Sequence, residues 1–320
     1  MVKRFFGLIY KETNSLNQAA MLLGLFAFFS QVLAFLRDRL LAHIFGAGTD
    51  LDIYYAAFRI PDFIFVTAAS IVSLSVLIPF ILEKEAESRE SLREFIDGIF
   101  SFFGLLMLVV SALAYWMMPY LASLLFKGFS PGALEEVIFL SRLLLLSPII
   151  LGFSNLFGSL TQAYNRFTIY ALAPLLYNTG IIVGIILLGE RLGVLGVAIG
   201  VIIGAALHAL IQVPFVFKAG LFPRLSLRFN KNLIGKVILV SFPRTLTLAM
   251  SSLVLILLVS LASLMPEGSI SILSFSINLQ SVPLSIIGVS YSLAAFPTLS
   301  RRFREKNFEA FREQMAVSAR

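Results

Sequence analysis

FLRDRLLAHIFGAGTDLDIYYAAFRIPDF, residues 35–63, sets Arg37, Asp38, Arg39, Asp50, Asp52, Arg59 and Asp62 into an otherwise apolar stretch of chain. Runs of Phe, Leu, Ile and Ala lie on both sides of it. Over 320 residues, 58% are apolar, only 13% are charged and the mean hydropathy is +0.92. Soluble domains carry about twice that share of charge. The chain therefore reads as an all-α integral membrane protein, a polytopic bundle of transmembrane helices. Charges kept together within such a bundle require a physical reason.

A hydrocarbon core takes ~20 mostly apolar residues per helix. Eight stretches meet that need: 18–44, 52–81, 96–118, 137–162, 169–189, 194–217, 234–264 and 269–298. The turns FGAGTD, FKGFSPG, GERLG and MPEG then fall on one side. The N-terminus, EKEAESRESLREFID, the turn around Arg166, KAGLFPRLSLRFNKN and the C-terminal tail fall on the other. That second side carries 18 Lys and Arg, against two, Lys127 and Arg191, on the first. By the positive-inside rule the N-terminus is cytoplasmic, in what is expected to be a bacterial cytoplasmic membrane.

The domain reading follows from these spans. Residues 1–17 form a cytoplasmic segment and 18–218 a six-helix lobe. Residues 219–233 are a basic cytoplasmic linker, 234–298 the first two helices of a second lobe, and 299–320 a basic cytoplasmic tail. The net charge of +7 thus reflects topology, and nucleic acid is not expected as a partner. The absence of cysteine excludes disulfides, iron–sulfur clusters and thiolate zinc sites. The first apolar run is too long for a signal peptide and reads as a retained helix.

Five arginines remain within or at the edges of spans: 37, 39, 59, 142 and 244. The first helix ends near Phe45 and the second begins near Asp52. At ~1.5 Å per residue, Arg37 and Arg59 both lie roughly 10–12 Å below the end of this hairpin. A charge at mid-membrane costs at least ~2.5–3.5 kcal/mol, so such residues face a wet cavity or each other. A guanidinium fork suits phosphate because it makes two charge-assisted bonds at once. Arg37 and Arg59 are therefore candidates to line a cavity for an anionic group. Arg37 or Arg39 could instead pair with Asp38 or Asp52, and Arg39 could reach the headgroups.

Arg142, in SRLLLLSPIILG, opens the fourth span; Arg244 follows Pro243 in SFPRTLTLAM. Both could snorkel to the near interface or serve the cavity, and prolines within spans mark bent helices. Gly196, Gly200 and Gly204, with Gly180 and Gly184, have the four-residue spacing of a close helix contact. His208 reads as a buried structural histidine, and Asn178, Gln212 and Asn278 as helix glue or contacts for sugar hydroxyls. No GxxxxGK[ST] loop occurs, so no ATPase module is visible.

RDRLLAHIFGAGTDLDIYYAAFRIPD resembles the opening helical hairpin of the MurJ/MviN family. These are the lipid II flippases of the multidrug/oligosaccharidyl-lipid/polysaccharide exporter superfamily. AYNRFTIYALAPLLYN, GVLGVAIGVIIGAALHALIQVPFVFKAG and SVPLSIIGVSYSLAAFPTLSR extend the resemblance in order, from about residue 15 to 305. It implies a MurJ/MATE-like fold of fourteen helices, in two six-helix lobes around a cationic cavity plus two further helices. About eight of the fourteen are present here, so the chain reads as the N-terminal portion. The implied activity is movement of an undecaprenyl-pyrophosphate-linked peptidoglycan precursor by alternating access, with no enzymatic chemistry. Arg37 and Asp38 match the family's Arg-Asp pair, and Asp52 its acidic residue at the start of the second helix.

Several family arginines are replaced. Gln31 stands six residues before Arg37, Phe65 and Val66 follow the FRIP motif, and Asn278 stands where a phosphate-contacting arginine is expected. Arg39, Arg59, Arg142 or Arg244 would then supply the charge. Coupling to a monovalent ion or to the membrane potential is expected in place of ATP. The expected partners are the lipid-linked precursor, membrane lipids and a cell-wall synthesis complex. The alternatives are an exporter of another polyprenyl-linked oligosaccharide, a cation-coupled drug exporter, and a non-transporting scaffold in cell-wall assembly. A polyprenyl-phosphate transferase needs an acidic Mg²⁺ cluster, and Asp50 with Asp52 is too isolated to form one.

Overall fold

A computed structural model describes residues 16–71, 74–226, 230–284 and 308–319. Among these the regular structure is helical throughout. The helices are α1 Leu16–Phe45, α2 Thr49–Ile71, α3 Leu74–Glu87, α4 Arg89–Leu125, α5 Pro131–Leu144 and α6 Leu146–Ala163. They continue as α7 Phe167–Leu192, α8 Val194–Leu210, α9 Val213–Lys218, α10 Lys231–Ala262, α11 Ser269–Pro283 and α12 Phe308–Ala319. Packing divides the chain into two compact units, Met1–Leu273 and Ser274–Arg320.

Seven stretches are long and apolar enough to cross a membrane, because α2 with α3, α5 with α6 and α8 with α9 each run on as one span. They match the first seven of the expected spans. The eighth, 269–298, is described as helix only over Ser269–Pro283, and residues 285–298 lie outside the described residues.

Helix starts lie earlier than hydropathy suggests, and the caps explain why. Ser88 Oγ accepts from Ser91 N at 3.0 Å, so α4 begins in the charged segment rather than at Ile96. Ser130 Oγ accepts from Ala133 N, with Pro131 at the first helical position, so α5 begins well before Val137. Both satisfy backbone N–H groups that a helix start leaves open.

The four expected turns do gather at one end. A Cβ on Gly128 would overlap Ser263 O, and one on Gly268 (φ +85°) would stand 2.5 Å from Ala47 O. Gly189 lies against the Phe45 ring. The basic end is tied together as well. Arg89 donates to Tyr164 Oη and to the Ala219 carbonyl, and Arg93 Nη1 donates to Gly220 O at 2.7 Å. Arg224 N and Ser226 N donate to Asp97 Oδ1 and Ser101 Oγ, both at 2.8 Å. Helix N-terminal turns thus hold the 219–226 segment in place.

Between the two ends, α3, α4 and α6 enclose an aromatic core. A Cβ on Gly152 would meet the Phe103 ring at 2.6 Å, and one on Gly104 would meet Phe153 at 2.8 Å, so each glycine seats a ring from the facing helix. The α7–α8 contact is closer still, backbone on backbone. A Cβ on Gly180 would overlap the Gly204 Cα, and one on Gly184 would lie 2.5 Å from the Gly200 Cα. Lipid tails are as apolar as leucine, so helices in a membrane associate by such close packing rather than by expulsion from water.

Gly184→Leu is expected to force α7 and α8 apart. The cost should exceed the about 1–3 kcal/mol of ordinary overpacking, because backbone atoms cannot rotate away. A fall in thermal unfolding temperature in detergent, with loss of monodispersity, checks this against Gly235→Leu, where a Cβ would meet nothing within 4 Å.

Candidate functional site

Arg37 lies eight residues before the end of α1, and Arg59 ten residues into α2, which starts at Thr49 rather than near Asp52. At ~1.5 Å per residue their depths are about 12 and 15 Å, a match within one turn. Spacing on α2 sets Tyr55, Arg59 and Asp62 on one face, at i, i+4 and i+7. Both arginines lie within electrostatic reach of one aromatic pair, Tyr54 and Tyr55. The Tyr54 and Tyr55 rings meet edge-on at 5.3 Å.

Arg37 Nη2 and Nε donate to the same oxygen, Asp38 Oδ1, at 2.8 and 2.9 Å. Arg37 Nη1 donates to Asn178 Oδ1 at 3.3 Å, and Asn178 Nδ2 reaches Ser30 Oγ, also at 3.3 Å. This network crosses from α1 to α7. Beside it lies a cavity of about 430 Å³ lined by Ser30, Gln31, Arg37, Tyr170, Tyr177 and Asn178, among others. Arg59 in turn interacts with Asp62. Each arginine therefore has a carboxylate neighbour, and the four formal charges sum to zero. An incoming anion must compete with Asp38 and Asp62 for the guanidinium N–H groups, which favours multivalent acceptors such as phosphates.

The remaining expected residues lie elsewhere. Arg39, two residues beyond Arg37 and so ~200° around the helix, is exposed. Asp52 is buried and serves as a clamp. Its Oδ2 accepts from Gly268 N at 2.8 Å; its Oδ1 accepts from Ser271 N at 2.7 Å and Ser271 Oγ at 2.6 Å. Arg142 turns to α4, where its Nε donates to Tyr115 O at 3.1 Å and its guanidinium stacks 4.6 Å above the Tyr115 ring. Arg244 is exposed on α10, beside Thr245, whose Oγ1 meets Ser70 Oγ at 2.7 Å. Asn278 lies on α11 in the unit Ser274–Arg320, where its carbonyl accepts from Ser281 Oγ.

Sequence reasoning assigned Tyr54, Tyr55, Tyr177 and Ser30 no role in the site. The i, i+4 step from Tyr55 to Arg59 was the available signal for the α2 aromatics. Ser30, seven residues before Arg37 on α1, shares its face, but nothing local could have set Asn178 against Arg37, since that contact joins residues 141 apart in the chain.

A bundle of membrane-crossing helices that keeps arginines on facing elements within its spans has the architecture of a multi-pass membrane protein with a charged interior. The chain belongs to the MurJ family: the family model described as Lipid II flippase MurJ matches residues 41–320. It is 31% identical over 277 residues to a probable lipid II flippase MurJ of Thermotoga maritima, covering 85% of this chain and 55% of that protein. A protein of the same description from Haemophilus influenzae is 28% identical over 284 residues, covering 85% and 56%. The Lipid II flippase MurJ of Burkholderia cenocepacia is 24% identical over 298 residues, covering 90% and 57%. The chain thus spans about half the length of the curated relatives it matches.

Solved structures agree on the fold. A lipid II flippase MurJ in an inward closed conformation matches with a TM-score of 0.67 at 22% identity, over 90% of this chain and 59% of that one. An inward-facing multidrug resistance MATE family transporter matches at 0.71 and 19% identity, over 90% and 66%.

Asp52→Ala should lower the unfolding temperature by the equivalent of about 1–3 kcal/mol, because three buried donors lose their acceptor. Beside it, Thr49 N and Oγ both donate to Glu267 Oε1 and hold that carboxyl below its usual range. A depressed carboxylate stabilises the fold above its unfolded pKa and loses that contribution as pH falls through the folded value. The melting difference between wild type and Glu267→Gln should therefore be present at neutral pH and close as pH falls through and below the ordinary glutamate range.

Proposed function

We propose that this chain forms the first lobe, and the opening of the second, of a flippase for a lipid-linked peptidoglycan precursor. The observation that carries this reading is the arginine pair, Arg37 and Arg59, held at matching depth around Tyr54 and Tyr55. An undecaprenyl-pyrophosphate substrate presents several phosphate oxygens, enough to displace Asp38 and Asp62 from the guanidinium forks. The amide and hydroxyl groups of Asn178, Gln31, Ser30 and Tyr177 line the adjoining cavity and suit sugar hydroxyls.

In this reading residues 18–218 form the first lobe, 219–233 and 299–320 are basic cytoplasmic segments, and 234–298 begin the opposing lobe. The membrane is the bacterial cytoplasmic membrane with the N-terminus inside, supported by the 18-to-two distribution of Lys and Arg. Alternating access between the lobes moves the headgroup, coupled to a monovalent ion or to the membrane potential. The family's description and the relatives' names support the substrate class.

A second reading is export of a different polyprenyl-linked oligosaccharide, or of a drug coupled to cations. Gln31 favours it, a neutral amide lining the cavity where the family resemblance leads one to expect arginine. The MATE structural match favours it as well.

Complementation tests the first reading. The full-length gene that encodes this chain is expected to rescue a bacterium depleted of its lipid II flippase. Arg37→Ala and Arg59→Ala should each reduce rescue by about tenfold or more at unchanged membrane abundance, the scale of a lost charge-assisted bond. If the wild type fails to rescue, peptidoglycan precursor transport is wrong and the second reading gains. If both variants rescue fully, the arginine pair is not the binding site.

A further inference from the structure

Ser141 and Arg142 are neighbours on α5 that face different ways. Ser141 Oγ donates to Ala57 O on α2 at 3.0 Å, towards the Arg37–Arg59 cluster. Arg142 projects a third of a turn away, into a groove between α4 and α5. The helix start at Pro131 places Arg142 eleven residues, about 16 Å of helix, beyond the 126–130 turn. Tyr115 stands level with it on α4. Among the described residues no carboxylate pairs with Arg142, and apart from its stacking on the Tyr115 ring only its Nε hydrogen-bonds to the protein.

The groove encloses about 810 Å³ and is graded along its length. Glu135 stands nearest the turn, then Arg142 with Tyr115, then Ser111 one turn deeper on α4. Ser111 is 5% exposed, and its Oγ has no hydrogen-bond partner among the described residues. The groove wall includes Leu108, Phe139 and Leu146, which are 57%, 56% and 48% exposed and so continue onto the lipid-facing surface. A buried hydroxyl without a partner is costly, and so is a guanidinium among apolar helices with no carboxylate beside it.

We propose that this groove binds one glycerophospholipid from the half of the membrane on the side of the 126–130 turn. Arg142 holds the phosphodiester through its free N–H groups, and Ser111 donates to an ester carbonyl of the glycerol. The acyl chains lie on Leu108 and Leu146. The order of groups fits a lipid in its natural orientation: Glu135 meets headgroup donors nearest the turn, phosphate comes next, the esters lie ~6 Å deeper and the chains lie deepest. A soluble anion would leave the apolar wall and Ser111 unused. The site lies on α4, α5 and the first turn of α6, apart from the Arg37 cluster on α1, α2 and α7, and does not depend on what that cluster binds.

Native mass spectrometry of the purified protein tests this after incubation with dioleoyl phosphatidylglycerol, dioleoylglycerol or inorganic phosphate. The wild type should retain one phosphatidylglycerol molecule, Arg142→Gln should bind it about tenfold more weakly, and Ser111→Ala should weaken it by a smaller factor. Dioleoylglycerol, which differs by lacking the phosphate and headgroup, should not be retained, and millimolar phosphate should not displace the lipid. Equal retention by wild type and Arg142→Gln overturns the proposal. So does equal retention of dioleoylglycerol, which makes the groove an unselective apolar surface. Displacement by phosphate also overturns it, and makes the groove an anion site. Should Arg142→Gln fail to fold, the phosphatidylglycerol-to-dioleoylglycerol ratio and Ser111→Ala decide between these outcomes on their own.

Discussion

The Asp52 carboxylate is the fastening on which the position of α2 depends. It takes two backbone N–H groups and one hydroxyl from Gly268 and Ser271, residues more than two hundred positions away in the chain. Those donors belong to the start of α11, where a helix leaves N–H groups open and favours a negative charge. At the other end of α2, Ser241 Oγ donates to Ile71 O and Thr245 meets Ser70. With α2 tied at both ends, Tyr54, Tyr55 and Arg59 have a fixed height and rotation, and Arg37 on α1 can be matched to them.

That arrangement sharpens what the arginines can do. Both stand at a depth where a lone charge is costly, and both are beside carboxylates. An arginine pair of this kind is close to neutral as it stands, and under the proposed function a polyvalent phosphate would take the place of the carboxylates. Asn178 holds the Arg37 fork beside the cavity between α1 and α7, and Ser30 in turn holds Asn178. The Asp52 clamp and the arginine cluster are separate parts of one hairpin, although the sequence presents them as one run of charges.

The α4–α5 groove shows how a cap can change the meaning of a residue. Hydropathy alone starts the fourth span near Val137, which puts Arg142 at an interface where snorkelling is cheap. Ser130 and Pro131 start α5 six residues earlier, so that Arg142 lies three turns into a formed helix that packs against α4. Its partners, the Tyr115 ring and carbonyl, come from a helix that hydropathy treats only as another span.

The sequence alone determined the class of protein, seven of the membrane spans, the grouping of the turns by side and the glycine face of α7 and α8. Each of these rests on quantities local to a segment: apolar length, charge count and residue spacing. It also placed Arg37 and Arg59 at equal depth, because a tight turn makes depth a matter of counting residues. Only the tertiary structure decided that Arg37 meets Asn178, that Arg142 meets Tyr115, and that Asp52 is a cap. Helical periodicity fixes the angle between side chains on one helix, but the neighbour that covers each face is chosen by packing among helices far apart in the chain.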